Sequence, residues 1–297
     1  GVRAFADARR PDESDVHKML LSKMGNRTYH TGWRGYNRSA VSACDGPLTM
    51  MDNTRLPSRP LALAGFLALA LVACVSELKP LPPLPPLPEG APVTFPEGFY
   101  RQREISGSVY RIDPRASLVA IYVYRDGRLA TFGHDHVVAS RDVRGYVLLP
   151  ANLASARADL YFPVATLSVD EADLRANAGF TTELSTDDIE TTRRRMLQTV
   201  LEAEKYLYIQ VHAVPAPGAP PRLTLNLDLT LHGVTRAFQI PIELTVNGGS
   251  FSTRGEFDIR QTDFDITPFS ALGGALAVKD QLHIVFHLRG ERVGSSG

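Results

Sequence analysis

RLTLNLDLTLHGVTR, residues 222–236, places Leu223, Leu225, Leu227, Leu229 and Leu231 at every second position, with Thr224, Asn226, Asp228 and Thr230 between them. Successive strand side chains point to opposite faces, so this is a half-buried β-strand with its five leucines on one side. A helix would scatter those leucines around its circumference. Each leucine stabilises the fold by roughly 1.5–3 kcal/mol when fully buried. A slip of one residue would turn all five to water, so the register is strongly specified. The other strands must supply the rest of an apolar interior, and the functional question is whether that interior is solid or hollow.

Alternating segments recur on both sides of the leucine strand. Before it come a strand ending at 110–114, one at 117–124 and one at 129–139. Two more are marked by Val143, Gly145, Val147 and Leu149 and by Ala156, Ala158, Leu160 and Phe162, and another by Leu207, Ile209, Val211 and Ala213. After it come strands marked by Phe238, Ile240, Ile242, Leu244 and Val246, by Phe251, Gly255, Phe257 and Ile259, and by Leu282, Ile284, Phe286 and Leu288. Asp126-Gly127 and Asn247-Gly248-Gly249 read as tight hairpin turns. Many short alternating strands with hairpin punctuation predict an all-β antiparallel barrel or sandwich. One segment departs from this pattern. Ser185 is a helix N-cap followed by Asp187 and Asp188, and Met196, Leu197, Val200 and Leu201 then recur at helical spacing. Residues 170–178 predict a further helical turn. Such a helix either lies across an open end of a barrel or is a packed connection.

The first hundred residues are of a different kind. Residues 1–49 are polar and aperiodic, and are expected to be disordered or to lie upstream of the native start. In 50–73, Arg55 and Arg59 precede the apolar run LALAGFLALALVA and then Cys74. That run, about 13 residues, is shorter than the roughly 20 a membrane-spanning helix needs. Basic flank, short apolar core and small residue make a secretory signal. Leu71-Val72-Ala73-Cys74 resembles the bacterial lipobox, which implies diacylglycerol attachment at Cys74. An ordinary signal peptide with a coincidental cysteine is the alternative. Val75 is not the aspartate associated with inner-membrane retention, which favours the outer membrane. Residues 74–98 hold the run KPLPPLPPLP, whose prolines forbid helix and central strand. A polyproline II tether there would hold a folded domain at 99–293 about 30–50 Å off the membrane.

Composition sets outer bounds. The 297 residues carry zero formal net charge and are 44% hydrophobic, enough for a sizeable core and without an electrostatic footprint for nucleic acid. With Cys74 as the mature start, no cysteine pair remains, so the fold must hold without disulfides.

The chemistry-bearing candidate is Gly133-His134-Asp135-His136. By period two, Phe132, His134, His136 and Val138 share a face, which predicts both histidines inward. His212, His232, His283 and His287 lie opposite apolar residues and are expected to face outward. Two imidazoles on alternate strand positions suit a divalent metal, but a catalytic site needs a third protein ligand. Asp263 or Asp265, near a strand end, are the candidates for it. The competing readings are a hydrogen-bonded pair lining the mouth of a cavity, and direct contact with the polar head of a ligand. No nucleophile beside a base, Gly-rich phosphate loop or carboxylate pair stands out.

Tyr110-Arg111-Ile112-Asp113, residues 229–236 (LTLHGVTR) and residues 257–266 (FDIRQTDFDI) resemble the YceI-like family, in the family's order, over about 105–290. The resemblance implies an eight-stranded antiparallel lipocalin-like barrel with a long apolar tunnel, and the helical segments at 170–178 and 185–201 would supply one or two short helices across an opening. It further implies a secreted, periplasmic protein that binds isoprenoid chains or similar amphiphiles. Two features depart from the family pattern: the doubled histidine of His134 and His136, and Asp265 where glycine is frequent. Ten segments exceed eight strands, so one or two are expected to be halves of bent strands. The expected ligand-facing residues are His134, His136, Leu225, Leu227, Leu229, Phe238, Ile240, Phe257 and Phe286. The expected function is a lipid-anchored carrier with no enzymatic activity and no cofactor other than a bound isoprenoid-type lipid. Its partners would be a hydrophobic small molecule and the membrane. A metal-dependent protein at His134 and His136 and a structural envelope lipoprotein are the alternatives, and a homodimer is left open.

Overall fold

The computed structural model describes residues 83–102 and 106–294. Residues 1–49, the expected signal segment 50–73, Cys74 and the first residues of the expected tether lie outside the described residues. A short helix α1 (Glu97–Tyr100) precedes β1 (Ser108–Ile112), β2 (Leu118–Asp126), β3 (His136–Ser140), β4 (Arg144–Leu149), β5 (Arg157–Pro163) and β6 (Ser168–Val169). Helices α2 (Ala172–Asn177) and α3 (Thr186–Arg195) follow, and then β7 (Tyr208–Pro215), β8 (Arg222–Leu231), β9 (Val234–Asn247) and β10 (Ser250–Arg260). The two-residue β11 (Ser270–Ala271) and the long β12 (Leu276–Arg292) complete the chain.

All pairings are antiparallel, and they close. The ladder runs β1–β4–β5–β7–β8–β9–β10–β12, and β12 returns to pair with β1 as well as β2. β1 and β2 form one bent strand along β12. At the bend, the Asp113 amide still donates to Arg289 O, and the Asp113 carboxylate accepts from the Arg115 amide at a 3₁₀ turn (Pro114–Ala116). β3 and β4 likewise form one strand facing β2 and β1, and β5 and β6 one strand facing β4 and β3. Ten alternating segments thus reduce to a closed eight-stranded barrel, which has no free edge to aggregate through. The bends exist because each long strand must curve round a narrow cylinder. Gly145 (φ +132°) shows how closely the wall is drawn: a Cβ there would sit 2.2 Å from Asp159 O on the neighbouring strand.

The hairpins follow the sequence where glycine supplies the turn. Gly248-Gly249 joins β9 to β10, and His232-Gly233, both at positive φ, joins β8 to β9. The tight hairpin expected at Asp126-Gly127 does not form. Pairing between β2 and β3 stops at Val123 and His136. Beyond it, the Asp135 carboxylate accepts from the Arg125 amide at 2.9 Å, and the Arg125 guanidinium donates to Gly133 O at 2.9 Å. Side chains thus end the ladder, and the strand expected from 129 starts at His136 after a 3₁₀ turn (Ala130–Phe132).

Ser185 caps α3 in a reciprocal capping box with Asp188, and Arg193, Arg194 and Arg195 occupy its last turn, where cations suit the helix dipole. A π-helical turn (Met196–Val200) continues it. Arg193 fastens α3 to the barrel by donating to Leu167 O and Ala165 O, both at 2.7 Å.

The proline-rich stretch is not a free rod where it is described. Residues 83–102 lie along the outer wall as a strap. Gln198 donates to Pro83 O at 2.7 Å, Tyr208 to Gly90 O at 3.0 Å, and Thr94 to Gln210 at 3.1 Å. Phe95 meets Tyr161 edge-on at 4.7 Å, and Tyr100 stacks on Tyr146 at 5.2 Å. Proline disposes the segment to be extended, and Tyr146, Tyr161 and Tyr208 on the outer face of β4, β5 and β7 give it an aromatic surface to lie on.

Candidate functional site

The inward faces of the strands enclose a cavity of about 350 Å³, within the range typical of small-molecule sites. All five leucines of β8 line it, with Ile240 of β9, Phe257 of β10 and Phe286 of β12. Of the expected wall residues, Phe238 departs from this pattern. Its ring packs on Phe257 (5.6 Å) and on the wholly buried Phe264 (6.3 Å), and it does not line the hollow. Thr192, Arg195, Met196, Val200 and Leu201 line one end of the cavity, so the helical insertion lies across an opening.

His136 is the polar side chain best held in this wall. Its Nδ1 lies 2.6 Å from Asp170 Oδ2, and the Asp170 side chain has no solvent exposure. Asp170 also accepts from the Val137 amide at 3.0 Å and from Arg175 at 2.8 Å, and Arg175 in turn donates to Asp135 O and Thr182 O. Burial pushes the Asp170 pKa up, but the hydrogen bonds from His136, Val137 and Arg175 outweigh it and hold it below the ordinary carboxylate value. A charged Asp170 makes His136 Nδ1 the donor, which leaves Nε2 as the remaining polar atom of a ring in the cavity wall.

The two histidines do not act as one inward pair. His134 precedes β3, its ring is edge-on to His136 at 6.2 Å, and it does not line the cavity. Phe132, expected inward, is 76% exposed. Strand alternation does not extend through residues held by the Asp135 cap. Among the described residues, no three metal-ligating side chains gather, and Asp263 and Asp265 are exposed on the 3₁₀ turn after β10.

The four other histidines of the barrel do not line the cavity. His212 meets Asp159 at 2.8 Å, His232 meets Glu202 at 2.9 Å, His283 meets Asp258 at 2.8 Å, and His287 meets Ser252 at 3.0 Å. Asp159 anchors the strap, accepting from Tyr100 and Arg157, both at 2.5 Å. Burial pushes the Asp159 pKa up, but Arg157, Tyr100 and His212 bring it below the usual value. The same contact, with burial as the larger cause, raises the Tyr100 phenol.

Sequence reasoning missed Asp170, Arg175, Arg195, Gln261 and Phe269. The signal for Asp170 was faint: an aspartate just before a helical turn, at φ 57°, where Asp and Asn are the tolerated non-glycine residues.

A family model for the YceI-like domain matches residues 110–289. The chain belongs to the YceI-like family. The YceI-like match runs from β1 to near the end of β12, so the strap lies ahead of it. BcnA of Burkholderia cenocepacia is 16% identical, with a TM-score of 0.45 over 60% of this chain and 98% of its own. A domain of Saccharophagus degradans, described as polyisoprenoid-binding and implicated in plant cell wall breakdown, is 14% identical, with a TM-score of 0.44 over 62% and 98%. A YceI protein of Campylobacter jejuni is 14% identical, with a TM-score of 0.38 over 52% and 82%. No curated protein sequence matches the chain.

Proposed function

We propose that this YceI-like chain binds and carries a long apolar amphiphile, an isoprenoid or a similar lipid, inside its barrel. The observation that carries the reading is the hollow itself: about 350 Å³ walled by aliphatic and aromatic side chains, with no aspartate or glutamate in the lining. Each methylene moved from water into such a wall is worth about 0.8 kcal/mol. The ligand-binding residues are then Leu225, Leu227, Leu229, Ile240, Phe257 and Phe286 along the chain of the guest, with His136 toward its polar end.

The lipobox-like segment supports a mature chain that begins at an acylated Cys74 and resides in the periplasm. Val75 supports the outer membrane over the inner. A tethered carrier receives or delivers its cargo at a bilayer.

Organic extraction of the purified protein followed by mass spectrometry tests the binding reading. A long-chain lipid released in stoichiometric amount is the expected result. Absence of any lipid, together with failure of the stripped protein to take up added farnesol or palmitate, would refute it.

A further inference from the structure

We propose that the amphiphile carries an anionic head, a carboxylate or a phosphate, seated against Arg195 at the α3 end of the cavity. This inference rests on the barrel interior being a lipid site.

The polar groups of the lining are not spread evenly. Six polar residues line the cavity: Arg157 and Thr253 lie toward the Leu244 and Leu288 end, and connections between strands put His136, Thr192, Arg195 and Gln261 at the other. His136 is paired with Val123 where β3 begins, while nearby on β2 Arg125 pairs with Val278, whose amide donates to Phe269 O at 3.1 Å. The Arg195 guanidinium lies 5.8 Å from the centre of the Phe269 ring. Gln261, just past β10, donates to Lys279 O on β12 next to Val278. The end that α3 crosses therefore holds four of the six polar residues of the lining.

The charge at that end is unbalanced. Two arginines line the cavity, one toward each end, and Arg157, at the far end, is already bound to Asp159 at 2.5 Å. In the last turn of α3, Arg193 is held by two carbonyls and Arg194 by Glu190. Arg195, exposed at the rim, has no carboxylate partner among the described residues, and its guanidinium lies over the Phe269 ring. A guanidinium presents a planar fork of donors that fits a carboxylate or phosphate in bidentate fashion, and charge-assisted hydrogen bonds are roughly twice as strong as neutral ones. Thr192, one turn earlier on the same helix, adds a hydroxyl donor. With no acidic group in the lining, nothing there repels an anion, and the apolar wall beyond gives its chain somewhere to go.

Matched alcohols and anions separate charge from chain. Calorimetric titration of the full, lipid-stripped chain would compare farnesol with farnesyl monophosphate, and hexadecanol with palmitate. At least one anion should bind about tenfold or more tighter than its alcohol, and raised ionic strength should shrink that ratio. Palmitate alone favoured names a carboxylate, farnesyl monophosphate alone names a phosphate, and both favoured names a general anion site. In Arg195→Gln the ratio should collapse to within about threefold, and Arg195→Lys should restore part of it. Alcohols and anions binding equally, or a ratio unchanged in Arg195→Gln, would overturn the inference while leaving the carrier reading intact. Failure of all four to bind would overturn the carrier reading itself.

Discussion

His136 on β3 and Asp170 ahead of α2 are bound at 2.6 Å, a cavity-wall imidazole backed by a carboxylate with no solvent exposure. The pair fixes the ring, and it also fixes the chain, because Asp170 receives the Val137 amide and Arg175 as well. Replacing Asp170 with Asn preserves shape and tolerates the positive φ, but leaves Arg175 buried without its counter-charge. Breaking a buried pair in this way typically costs about 3–5 kcal/mol, to be read by urea denaturation at neutral pH. The sign of the pH effect follows from the depressed folded pKa. The contribution of Asp170 is present above its ordinary value of 3.8 and is lost as the pH falls below that, through the lower folded value. The stability difference between wild type and Asp170→Asn should therefore narrow on acidification.

Tyr100 donates at 2.5 Å to Asp159 and joins the strap to the barrel wall. Tyr100→Phe keeps the stacking on Tyr146 but leaves the partly satisfied carboxylate short of one donor. The expected loss is about 1–3 kcal/mol. Faster amide hydrogen exchange in residues 83–102 than in β8 should accompany it.

Gly145→Ala should destabilise the barrel by about 2 kcal/mol or more, because its Cβ would lie 2.2 Å from a backbone oxygen of β5 at a φ that alanine avoids. A lowered thermal midpoint with unchanged far-ultraviolet circular dichroism at low temperature is the expected reading.

Ala213 lines the cavity from β7. Ala213→Phe directs a ring into empty space, so the cost of overpacking, about 1–3 kcal/mol in a filled core, should largely be avoided. Uptake of palmitate or farnesol should fall at least tenfold while the thermal midpoint moves by only a few degrees.

The proposed lipid anchor is tested at Cys74. Cys74→Ser should abolish the acyl mass increment and move the protein from the membrane to the soluble fraction when cells expressing it are fractionated.

The leucines of β8 were legible because a two-residue period in an uninterrupted strand reports the face directly, and each of the five lines the hollow. The same test misled at Phe132 and His134. Period two presumes a strand, and there the Asp135 carboxylate replaces a carbonyl as partner of the Arg125 amide and ends the ladder. Phe238 had the right alternation, but a ring delivered by the 3₁₀ turn after β10, Phe264, lies beside it and takes its packing surface. Such interruptions depend on contacts between distant residues. Asp170 and His136 are an example: nothing local in either segment announces the other. The strap was opaque for the opposite reason, since a proline run has no period from which a buried side could be read.

The strap has a geometric consequence on the anchored reading. Its first described contact, Pro83 with Gln198, lies in the π-helical turn beside the polar opening. From Cys74 to Pro83 the chain reaches at most about 30 Å when fully stretched. A leash that short, leaving from the doorway's own side, would hang the molecule with its entrance toward the lipid headgroups. Cargo could then pass between bilayer and barrel with little exposure to water.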